Sequence, residues 1–350
     1  MGNQNSEKVA APTLEHVARV AGVSRATVSR VINGIRNVDP QLRETVQAAI
    51  AATGYVPNQA ARSLVTRRTG SIALIVSETQ EHALDDPFRG RVFNDPFFGR
   101  VVSGLLGVLR PHSVNLVLML SEDDTARSQL VGYLRQGHVD GAVLISNYVQ
   151  DPLPRLLAES SLPVVLSRRP TEAIPISYVD LAQHTGAMLA ADHLAARGCR
   201  RAATICGPLD MPAGQDRLAG FREGMARHGQ AFVPLVEGNF TQESGERAMI
   251  KLLTENPGID GIFAANDLMA QGALLALRDR GVRVPEEMAV IGFDDSAAAR
   301  ASRPALTTIR QTVEDMAAEM ARLLLTHIDQ PDHPVTSIIF EPELVVRDSA

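Results

Sequence analysis

The hydrophobic pattern of the chain changes character near residue 70. Beyond it, short apolar runs rich in β-branched residues follow one another, each the length of a buried strand. The clearest runs are SIALIVS, VNLVLML, DGAVLIS, LPVVLS, RAATIC, GIFAAN and MAVIGF, and most are followed by a helical stretch. This alternation predicts β-α-β units and parallel sheets. Roughly ten such units are too many for one compact sheet, so we predict two doubly wound halves with a cleft between them.

The stretch from Thr13 to Asn33 predicts two short helices joined by a tight turn. Thr13 and Ser24 are suited to capping the two helices, and Gly22 to forming the turn. One side of the second helix, with Thr27, Val28 and Val31, can pack on the first helix. The other side carries Arg25, Ala26, Ser29, Arg30 and Asn33. This is the pattern of a helix-turn-helix, whose outward residues enter the major groove of DNA.

A third helix is predicted after Asp39-Pro40, a capping residue followed by proline at the first helical position. Apolar residues then follow one side until Gly54, so three helices close a small domain. The next stretch, QAARSLVTRR, predicts a short basic helix that cannot bury itself alone. Such a helix needs a partner, for which DNA and a second copy of the chain are both suited.

Charge is distributed unevenly along the chain. The net charge is −6, but residues 1–70 carry +5 and the remainder −11. The basic end is therefore the candidate nucleic-acid-binding end. Two cysteines, Cys199 and Cys206, predict buried thiols in a reducing compartment rather than a disulfide framework. Because no signal core and no long apolar run appears, we expect a cytoplasmic protein with no membrane partner.

The motifs ATVSRVING and GYVPNQAARSL, with DRLAGF, AANDLMAQG and GFDD further along, resemble the lactose-repressor/galactose-repressor family of bacterial transcription regulators. The resemblance extends from Thr13 to Asp348, nearly the whole chain. It implies an all-α helix-turn-helix headpiece and an α/β body like that of periplasmic binding proteins, with two doubly wound parallel-sheet subdomains. It also implies a regulator associated with the nucleoid.

The resemblance further implies that the headpiece binds a pseudo-palindromic operator in double-stranded DNA as a homodimer. It places Leu64, in AARSL, in the minor groove at the operator centre; the alternative is that Leu64 packs against its own headpiece. The chain ends at ELVVRDSA without a leucine heptad tail, which predicts a dimer rather than a tetramer. The candidate DNA-contacting residues are Thr13, Ser24, Arg25, Ala26, Thr27, Ser29, Arg30, Asn33, Tyr55, Asn58, Ala61 and Leu64.

The predicted domains are a disordered N-terminus (1–12), the helix-turn-helix domain (13–57), a hinge helix with its linker (58–69) and an effector-binding and dimerisation body (70–350). The resemblance places the crossings between the two halves of the body near Arg169-Pro170, Pro304 and Pro334. After the first strand, the loop is longer than is usual for the family and contains DPF twice. We therefore expect residues 79–92 to be a mobile insertion.

Candidate ligand-binding residues follow from the rule that open α/β sheets bind ligands at the carboxyl ends of their strands. This rule selects Asn266-Asp267, Asp294-Asp295 and the loop that contains Arg217. An amide, a carboxylate and a guanidinium together suit a polyhydroxylated ligand. Aromatic rings stack on sugar rings, and the aromatic residues on candidate cleft loops are Phe98, Tyr178 and Phe240.

The resemblance implies that Arg217, Asn266 and Asp294 contact a small-molecule effector, most simply a carbohydrate. An alternative for Asp267 and Asp295 is that they only cap helices.

Two positions depart from the family pattern. The usual Asp-Asn pair reads Ala182-Gln183, and Arg168 follows PVVLS, where an acidic or small residue is common. An arginine there can admit an anionic group, so a phosphosugar or an acid stays open beside a neutral sugar.

Two other classes of protein, an enzyme and a transport-type binding protein, are less consistent with the sequence. An enzyme is disfavoured because the chain has no Gly-rich phosphate loop of the required spacing, no GxSxG and no HExxH, and its histidines are scattered singly. A transport-type binding protein is disfavoured by the headpiece and the missing signal peptide. We therefore predict a DNA-binding transcriptional repressor, without cofactor, metal or enzymatic activity, whose operator affinity a small-molecule effector controls. Neither the effector nor the direction of its control follows from the sequence.

Overall fold

The first two helices begin and end at the residues that the sequence predicts. In the computed structural model, which describes residues 12–34, 38–56, 68–78, 92 and 94–350, helix α1 spans Leu14–Ala21. The side chain of Thr13 accepts a hydrogen bond from the backbone N–H of His16, and Gly22 ends the helix with a φ of 67°. Helix α2 (Arg25–Ile32) begins after Ser24, whose Oγ accepts a hydrogen bond from the backbone N–H of Thr27.

Helix α3 (Pro40–Thr53) completes the first domain. The carboxylate of Asp39 accepts hydrogen bonds from the first backbone N–H groups of this helix, and Gly54 ends it in the left-handed region. The three helices bury a small apolar core of Val17, Ala18, Val28, Val46 and Ala49. The predicted three-helix headpiece is therefore confirmed.

The described residues up to Ser71 form one compact unit, to which Gly137–Asp140 also belong. The backbone N–H groups of Thr69 and Gly70 donate to the two carboxylate oxygens of Asp140, at 2.6 and 2.8 Å. Asp140 therefore fixes the backbone of the segment that leads into the first strand.

The second unit, which takes the remaining described residues from Ile72 onward, contains two six-stranded sheets. The first sheet consists of β1 (Ser71–Ser77), β2 (Asn115–Ser121), β3 (Gly141–Ser146), β4 (Val164–Leu166), β5 (Ser177–Leu181) and β11 (Ser337–Phe340), in the order β11-β5-β4-β3-β1-β2. The second consists of β6 (Ala202–Cys206), β7 (Leu235–Glu237), β8 (Gly261–Ala264), β9 (Ala289–Asp294), β10 (Thr307–Arg310) and β12 (Glu343–Val345), in the order β12-β10-β9-β8-β6-β7. β12 runs antiparallel to β10, whereas β6 to β10 pair in parallel.

Helices cover these sheets. They are α4 (Pro96–Leu109), α5 (Asp124–Arg135), α6 (Leu153–Ala158), α7 (Gln183–Ala196), α8 (Pro212–Arg227), α9 (Gln242–Glu255), α10 (Asp267–Asp279), α11 (Ala297–Ala301) and α12 (Val313–Asp329). In the first lobe, which is the first sheet with its helices, α4 packs on α12; in the second lobe, α7 packs on α8 and α9 on α10. Strand β3 is buried throughout, and β1 is buried at every residue but the first. This burial explains why their sequences are apolar runs. The predicted pair of doubly wound parallel-sheet subdomains is confirmed.

The positions where the chain crosses between the lobes differ from the prediction. The crossings lie between β5 and α7, between β10 and α12, and between β11 and β12. Pro170 instead lies between β4 and β5 of the first sheet, Pro304 precedes β10 in the second lobe, and Pro334 precedes β11 in the first. Proline interrupts helices and strands wherever they end, so these three prolines mark loops within a lobe.

Helices α7 and α8 approach each other closely at Gly220. A Cβ atom placed on this residue would lie 2.1 Å from the backbone oxygen of His184. Glycine is therefore required here for the two helices to pack. The predicted insertion at 79–92 lies outside the described residues except for Val92, which is buried.

Candidate functional site

A cavity of about 900 Å³ lies between the two lobes. Its wall receives loops and helix starts from both sheets, at the carboxyl ends of the strands, where an open α/β sheet binds its ligands. Five of the six effector-contacting residues predicted from the sequence line it: Phe98, Arg217, Phe240, Asn266 and Asp294. Tyr178 does not line it. In the short strand β5, the residue that reaches the cavity is Asp180, which lies two positions closer to the carboxyl end.

Arg217 is a buried cation within helix α8, and not in a loop as the sequence predicted. Its Nε donates to the side-chain oxygen of Gln183 at 2.8 Å, its Nη2 to that of Gln311 at 3.3 Å, and its Nη1 to the backbone oxygen of Ala265. The guanidinium carbon lies 3.6 Å from the centre of the Phe293 ring. A guanidinium has more N–H donors than these hydrogen bonds use. Arg217 is therefore held in place by the protein and still has donors for a ligand.

Asp294 lies at the end of β9, with its Oδ1 3.5 Å from Nη1 of Arg217. Burial raises the pKa of this carboxyl well above its ordinary value, although the neighbouring guanidinium of Arg217 opposes the change. The backbone φ is 110° at Asp294 and 50° at Asp295, a left-handed conformation that side chains other than glycine seldom adopt. Backbone strain of this kind is concentrated at ligand sites.

Arg100, which sequence reasoning missed, holds this strained backbone from the first lobe. It donates to the backbone oxygen of Asp294 at 3.0 Å and to that of Gln311 at 2.9 Å, while Glu314 accepts two further hydrogen bonds. No sequence signal distinguishes Arg100, since its partners are about 200 residues away in the chain. Arg100 thus ties helix α4 to the loop that presents Asp294.

Asn266 serves a structural role as well as lining the cavity. Its Oδ1 accepts a hydrogen bond from the backbone N–H of Met269 and so caps α10, and its Nδ2 donates to the backbone oxygen of Phe240, both at 2.9 Å. These bonds leave one N–H of the amide for a ligand.

The adjacent aspartates have protein partners of their own. Asp267 accepts hydrogen bonds from Thr308 Oγ1 at 2.6 Å and from the backbone N–H of Ser296 at 2.7 Å. Asp295 accepts hydrogen bonds from Arg310 and Arg347. Neither of the two lines the cavity. Structural partners thus occupy Asp267 and Asp295, but neither is the capping residue that the sequence offered as an alternative: Asn266 caps α10, and Ser296 precedes α11.

The cavity wall has aromatic faces on both lobes. Phe97 and Phe98 lie at the start of α4 with ring centres 5.3 Å apart and near-perpendicular planes, and Phe240 lies across the cavity on the second lobe. Phe97 was not selected from the sequence, although it adjoins Phe98 in the same NDPFF motif. Aromatic faces among polar groups are typical of sites that bind sugar rings.

Two positions noted as departures from the family pattern also line the cavity. The amide of Gln183 accepts from Arg217 and donates to Gln311, so it supports the buried guanidinium. Arg168 stands at the end of β4 and is half-buried.

A second candidate surface lies on α2. Arg25, Ala26 and Arg30 are exposed, while Ser29 and Asn33 are half-buried and share a hydrogen bond of 3.2 Å.

The other residues predicted to contact DNA vary in their surroundings. Arg25 lies 3.1 Å from the carboxylate of Glu15, an exposed ion pair that contributes little to stability. Thr27 Oγ1 lies 2.9 Å from the Oγ of the capping residue Ser24, and Tyr55 packs against the headpiece core. Three further candidates, Asn58, Ala61 and Leu64, lie outside the described residues.

No metal site accompanies these surfaces in the part of the chain that the structure describes, where no three His, Cys, Asp or Glu side chains cluster suitably. Within the same part, no helix has the length and apolar character needed to cross a membrane.

A helix-turn-helix headpiece joined to a two-lobed body with a polar, aromatic cavity defines the class of ligand-responsive transcription regulators. Residues 13–58 match the family described as bacterial regulatory proteins, lacI family, and residues 191–350 match the periplasmic binding protein-like domain. The chain belongs to the LacI family and is a DNA-binding transcriptional regulator.

Relatives over the full length agree with this assignment. The HTH-type transcriptional regulator CelR of Thermobifida fusca is 44% identical over 343 residues, which is 97% of this chain and 98% of the relative. The HTH-type transcriptional repressor PurR of Haemophilus influenzae (strain PittEE) is 33% identical over 345 residues, 96% of this chain and 98% of the relative.

Two solved structures share the architecture. A CelR–cellobiose complex is 41% identical, with a TM-score of 0.74 over 97% of this chain and 100% of that chain. A Lac repressor dimer bound to operator and the anti-inducer ONPF is 26% identical, with a TM-score of 0.80 over 97% of this chain and 99% of that chain.

Proposed function

We propose that this protein is a repressor whose effector is cellobiose or a closely similar disaccharide. The observation that carries the proposal is the large cavity between the lobes, lined by aromatic faces and by a fixed guanidinium, amide and carboxylate. The similarity to a regulator solved with cellobiose supports this choice of sugar. No reacting group is required for such a role, so the protein acts by binding and not by catalysis.

The proposed binding chemistry uses complementary groups. Arg217 and Asn266 donate hydrogen bonds to sugar hydroxyls, and Asp294 accepts one or two from them. Phe97, Phe98 and Phe240 cover the apolar faces of the rings. Because both lobes contribute to the wall, a sugar between them favours one relative arrangement of the lobes over another.

On the DNA side, we propose that the exposed face of α2 reads base edges in the major groove, in a homodimer that matches a pseudo-palindromic operator. Thr13, Ser24, Thr27 and Tyr55 would support this face or contact phosphates. We propose that residues 13–57 form the headpiece, residues 58–69 the hinge and residues 70–350 the body. The protein would then act at the nucleoid.

Operator binding by the full-length protein tests the proposal. An operator is first selected from a pool of random palindromic duplexes, and binding is then followed by fluorescence anisotropy while cellobiose, glucose or ribose is added. We expect cellobiose to change operator affinity by about fivefold or more, as is typical of allosteric coupling, and ribose to have no effect. Unchanged operator affinity at saturating cellobiose, with intact DNA binding, would exclude cellobiose as the effector.

A further inference from the structure

Two of the arginines on the cavity wall, Arg217 and Arg168, have largely different carboxylate neighbours. Arg217 and its carboxylate neighbours, which include Asp294 and Asp95, form one group. The second group surrounds Arg168 and contains Asp180 and Asp216, which line the cavity, and Asp151, which does not. Asp216 alone belongs to both groups, since it precedes Arg217 on α8. The wall therefore presents a second polar region beside the one that contains Arg217 and Asp294.

Arg168 has no partner for its guanidinium among the residues that the structure describes, neither a hydrogen bond nor an ion pair. It is nevertheless half-buried in the cavity wall, and this burial lowers its pKa despite the neighbouring carboxylates. A partly desolvated guanidinium with unused donors is costly unless something hydrogen-bonds to it. Its N–H groups are thus available to a molecule in the cavity.

Asp180 faces the same part of the cavity from the end of β5. Its two carboxylate oxygens accept hydrogen bonds from the backbone N–H groups of Arg169 at 2.9 Å and Leu181 at 2.8 Å. These bonds fix the orientation of the carboxylate, and each oxygen keeps a further lone pair. Arg168 and Asp180 form no ion pair with each other. The guanidinium of Arg168 can therefore donate to a ligand, and the carboxylate of Asp180 can accept from it.

The charges around Arg168 select against anions. The charged neighbours of the Arg168 guanidinium are three carboxylates, those of Asp180 and Asp216 on the cavity wall and that of Asp151 outside it. Burial also raises the pKa of Asp180, with a smaller contribution from the neighbouring carboxylate of Asp216. A phosphate or carboxylate bound at Arg168 would lie beside the carboxylates of Asp180 and Asp216, which repel it. A neutral hydroxyl pair, which both donates and accepts, fits better.

The size of the cavity agrees with a ligand of more than one ring. Its volume of about 900 Å³ lies near the top of the range of roughly 300–1,000 Å³ found for small-molecule sites. A single pyranose held by Arg217, Asn266 and Asp294 would leave the region of Arg168 unfilled.

We infer that Arg168 and Asp180 form a second sugar subsite, through which the protein selects a neutral disaccharide over monosaccharides and over sugar acids. This inference rests on the proposed function, because it assigns the second ring of the same effector. Arg168 is then a specificity-determining residue, with its guanidinium donating to hydroxyls of that ring and the Asp180 carboxylate accepting from them.

Isothermal titration calorimetry on the full-length protein tests the subsite, with cellobiose, glucose and cellobionate as probes. The variants are Arg168→Gln, which removes the charge, and Arg168→Lys, which keeps the charge without the planar fork. Arg155→Gln is the matched control, since Arg155 pairs with Glu172 on the exposed surface of the same lobe. Thermal melting confirms that each variant is folded.

We expect Arg168→Gln to weaken cellobiose binding about tenfold or more, the usual effect of losing a charge-assisted hydrogen bond. Glucose affinity should change less than about twofold, Arg168→Lys should be intermediate, and wild type should bind cellobionate more weakly than cellobiose. Equal losses for glucose and cellobiose, no loss for either, or tighter binding of cellobionate would overturn the subsite. If wild type binds no sugar at all, the proposed effector itself is wrong, which is a distinguishable result.

Discussion

Arg217 shows how one residue joins structure and binding. Its side chain is 5% exposed and donates to three protein acceptors, so its position is set before any ligand arrives. Removing it would leave Gln183 and the oxygen of Ala265 without their donor, which costs stability as well as binding. A conservative change is therefore the sharper probe of its role.

We predict that Arg217→Lys abolishes the effector response while operator affinity stays within about threefold of wild type. Lysine keeps the positive charge but lacks the planar guanidinium group, which donates hydrogen bonds to several acceptors at once. Operator binding with and without cellobiose, followed by anisotropy, measures both effects. As a control, Arg222→Lys changes an exposed arginine on the same helix and should leave the effector response unchanged. Loss of operator binding in folded Arg217→Lys protein would show that the residue acts on DNA binding directly.

Arg30 is exposed on α2, and we predict that it reads a base. Arg30→Ala should cost about 1–3 kcal/mol at one base position in each half-site, and should relax specificity there. Binding to a set of operators with single substitutions measures this. Arg19→Ala, which removes an exposed arginine on α1, is the control and is measured on the same set of operators. A uniform loss across all operators for Arg30→Ala would mark a phosphate contact instead.

The neighbours Asp294 and Asp295 should affect stability with opposite pH dependence. Burial raises the pKa of Asp294, so its contribution to stability is present below the ordinary aspartate pKa of about 4 and is lost as pH rises through the folded value. Burial also opposes ionisation of Asp295, but hydrogen bonds from Arg347 and Arg310 outweigh it and lower its pKa. Its contribution is present at higher pH and is lost as pH falls.

Urea unfolding of wild type, Asp294→Asn and Asp295→Asn between about pH 2 and pH 9 tests this, because the change for Asp295 falls below the ordinary aspartate pKa of about 4 and the change for Asp294 falls above it. With rising pH, the free energy of unfolding of wild type minus that of Asp294→Asn should decrease. The corresponding difference for Asp295→Asn should increase. Parallel curves for the two variants would contradict the assigned environments.

The site residues that the sequence identified are those that stand out by their position near the end of a strand and by the chemistry of their side chains. Asn266 and Asp294 lie at the ends of predicted strands and line the cavity, as does Arg217 from α8. Tyr178 was expected on a cleft loop but lies within strand β5 and does not line the cavity. Arg100 could not be found, because its importance comes from partners distant in the chain. A contact between far segments has no local sequence signal.

Among the elements, the packing of α8 on α7 sets the position of Arg217. We predict that Gly220→Ala lowers the free energy of unfolding by about 1–3 kcal/mol, since the added methyl group would collide with the backbone of His184. Effector affinity should fall with it, because α8 carries the clamp arginine. Chemical denaturation and calorimetry measure the two effects.

Gly132→Ala is the matched control, since Gly132 lies in helix α5 and a Cβ there meets nothing within 4 Å. This change should stabilise the protein by up to about 1 kcal/mol, because alanine favours helix more than glycine does. Equal destabilisation by both substitutions would show that the close approach at Gly220 is not the cause.

The elements that could be predicted are those with a strong local pattern. Buried parallel strands such as β1 and β3 are continuous apolar runs, and the headpiece helices have clear capping residues. Strands β11 and β12 alternate in exposure or are only three residues long, so they lack such a pattern. The lobe crossings taken from the resemblance were misplaced, because a crossing depends on which sheet the next strand joins, and no local pattern in the sequence reports that.

For the whole molecule, effector and operator should influence each other by the same factor. If cellobiose changes operator affinity by a given ratio, saturating operator must change cellobiose affinity by that ratio, because the two equilibria form a thermodynamic cycle. Calorimetric titration of the protein and of its operator complex with cellobiose measures the second ratio. Unequal ratios would indicate that oligomeric state changes along with binding.

We also predict that the protein in solution is a dimer, because a single headpiece makes few base contacts and a two-fold operator matches a two-fold protein. Light scattering at micromolar concentration measures the mass directly. A stable tetramer or a monomer that binds operator tightly would contradict this prediction.

The left-handed backbone at Asp294 limits how an altered sensor can be evolved or designed. With φ at 110°, most side chains would add strain of about 1–3 kcal/mol at this position, which leaves aspartate, asparagine and glycine as the accessible choices. Arg168 is not among the described residues with positive φ, so its backbone accepts many side chains. A library that seeks a new inducer should hold position 294 constant and randomise the loop around Arg168.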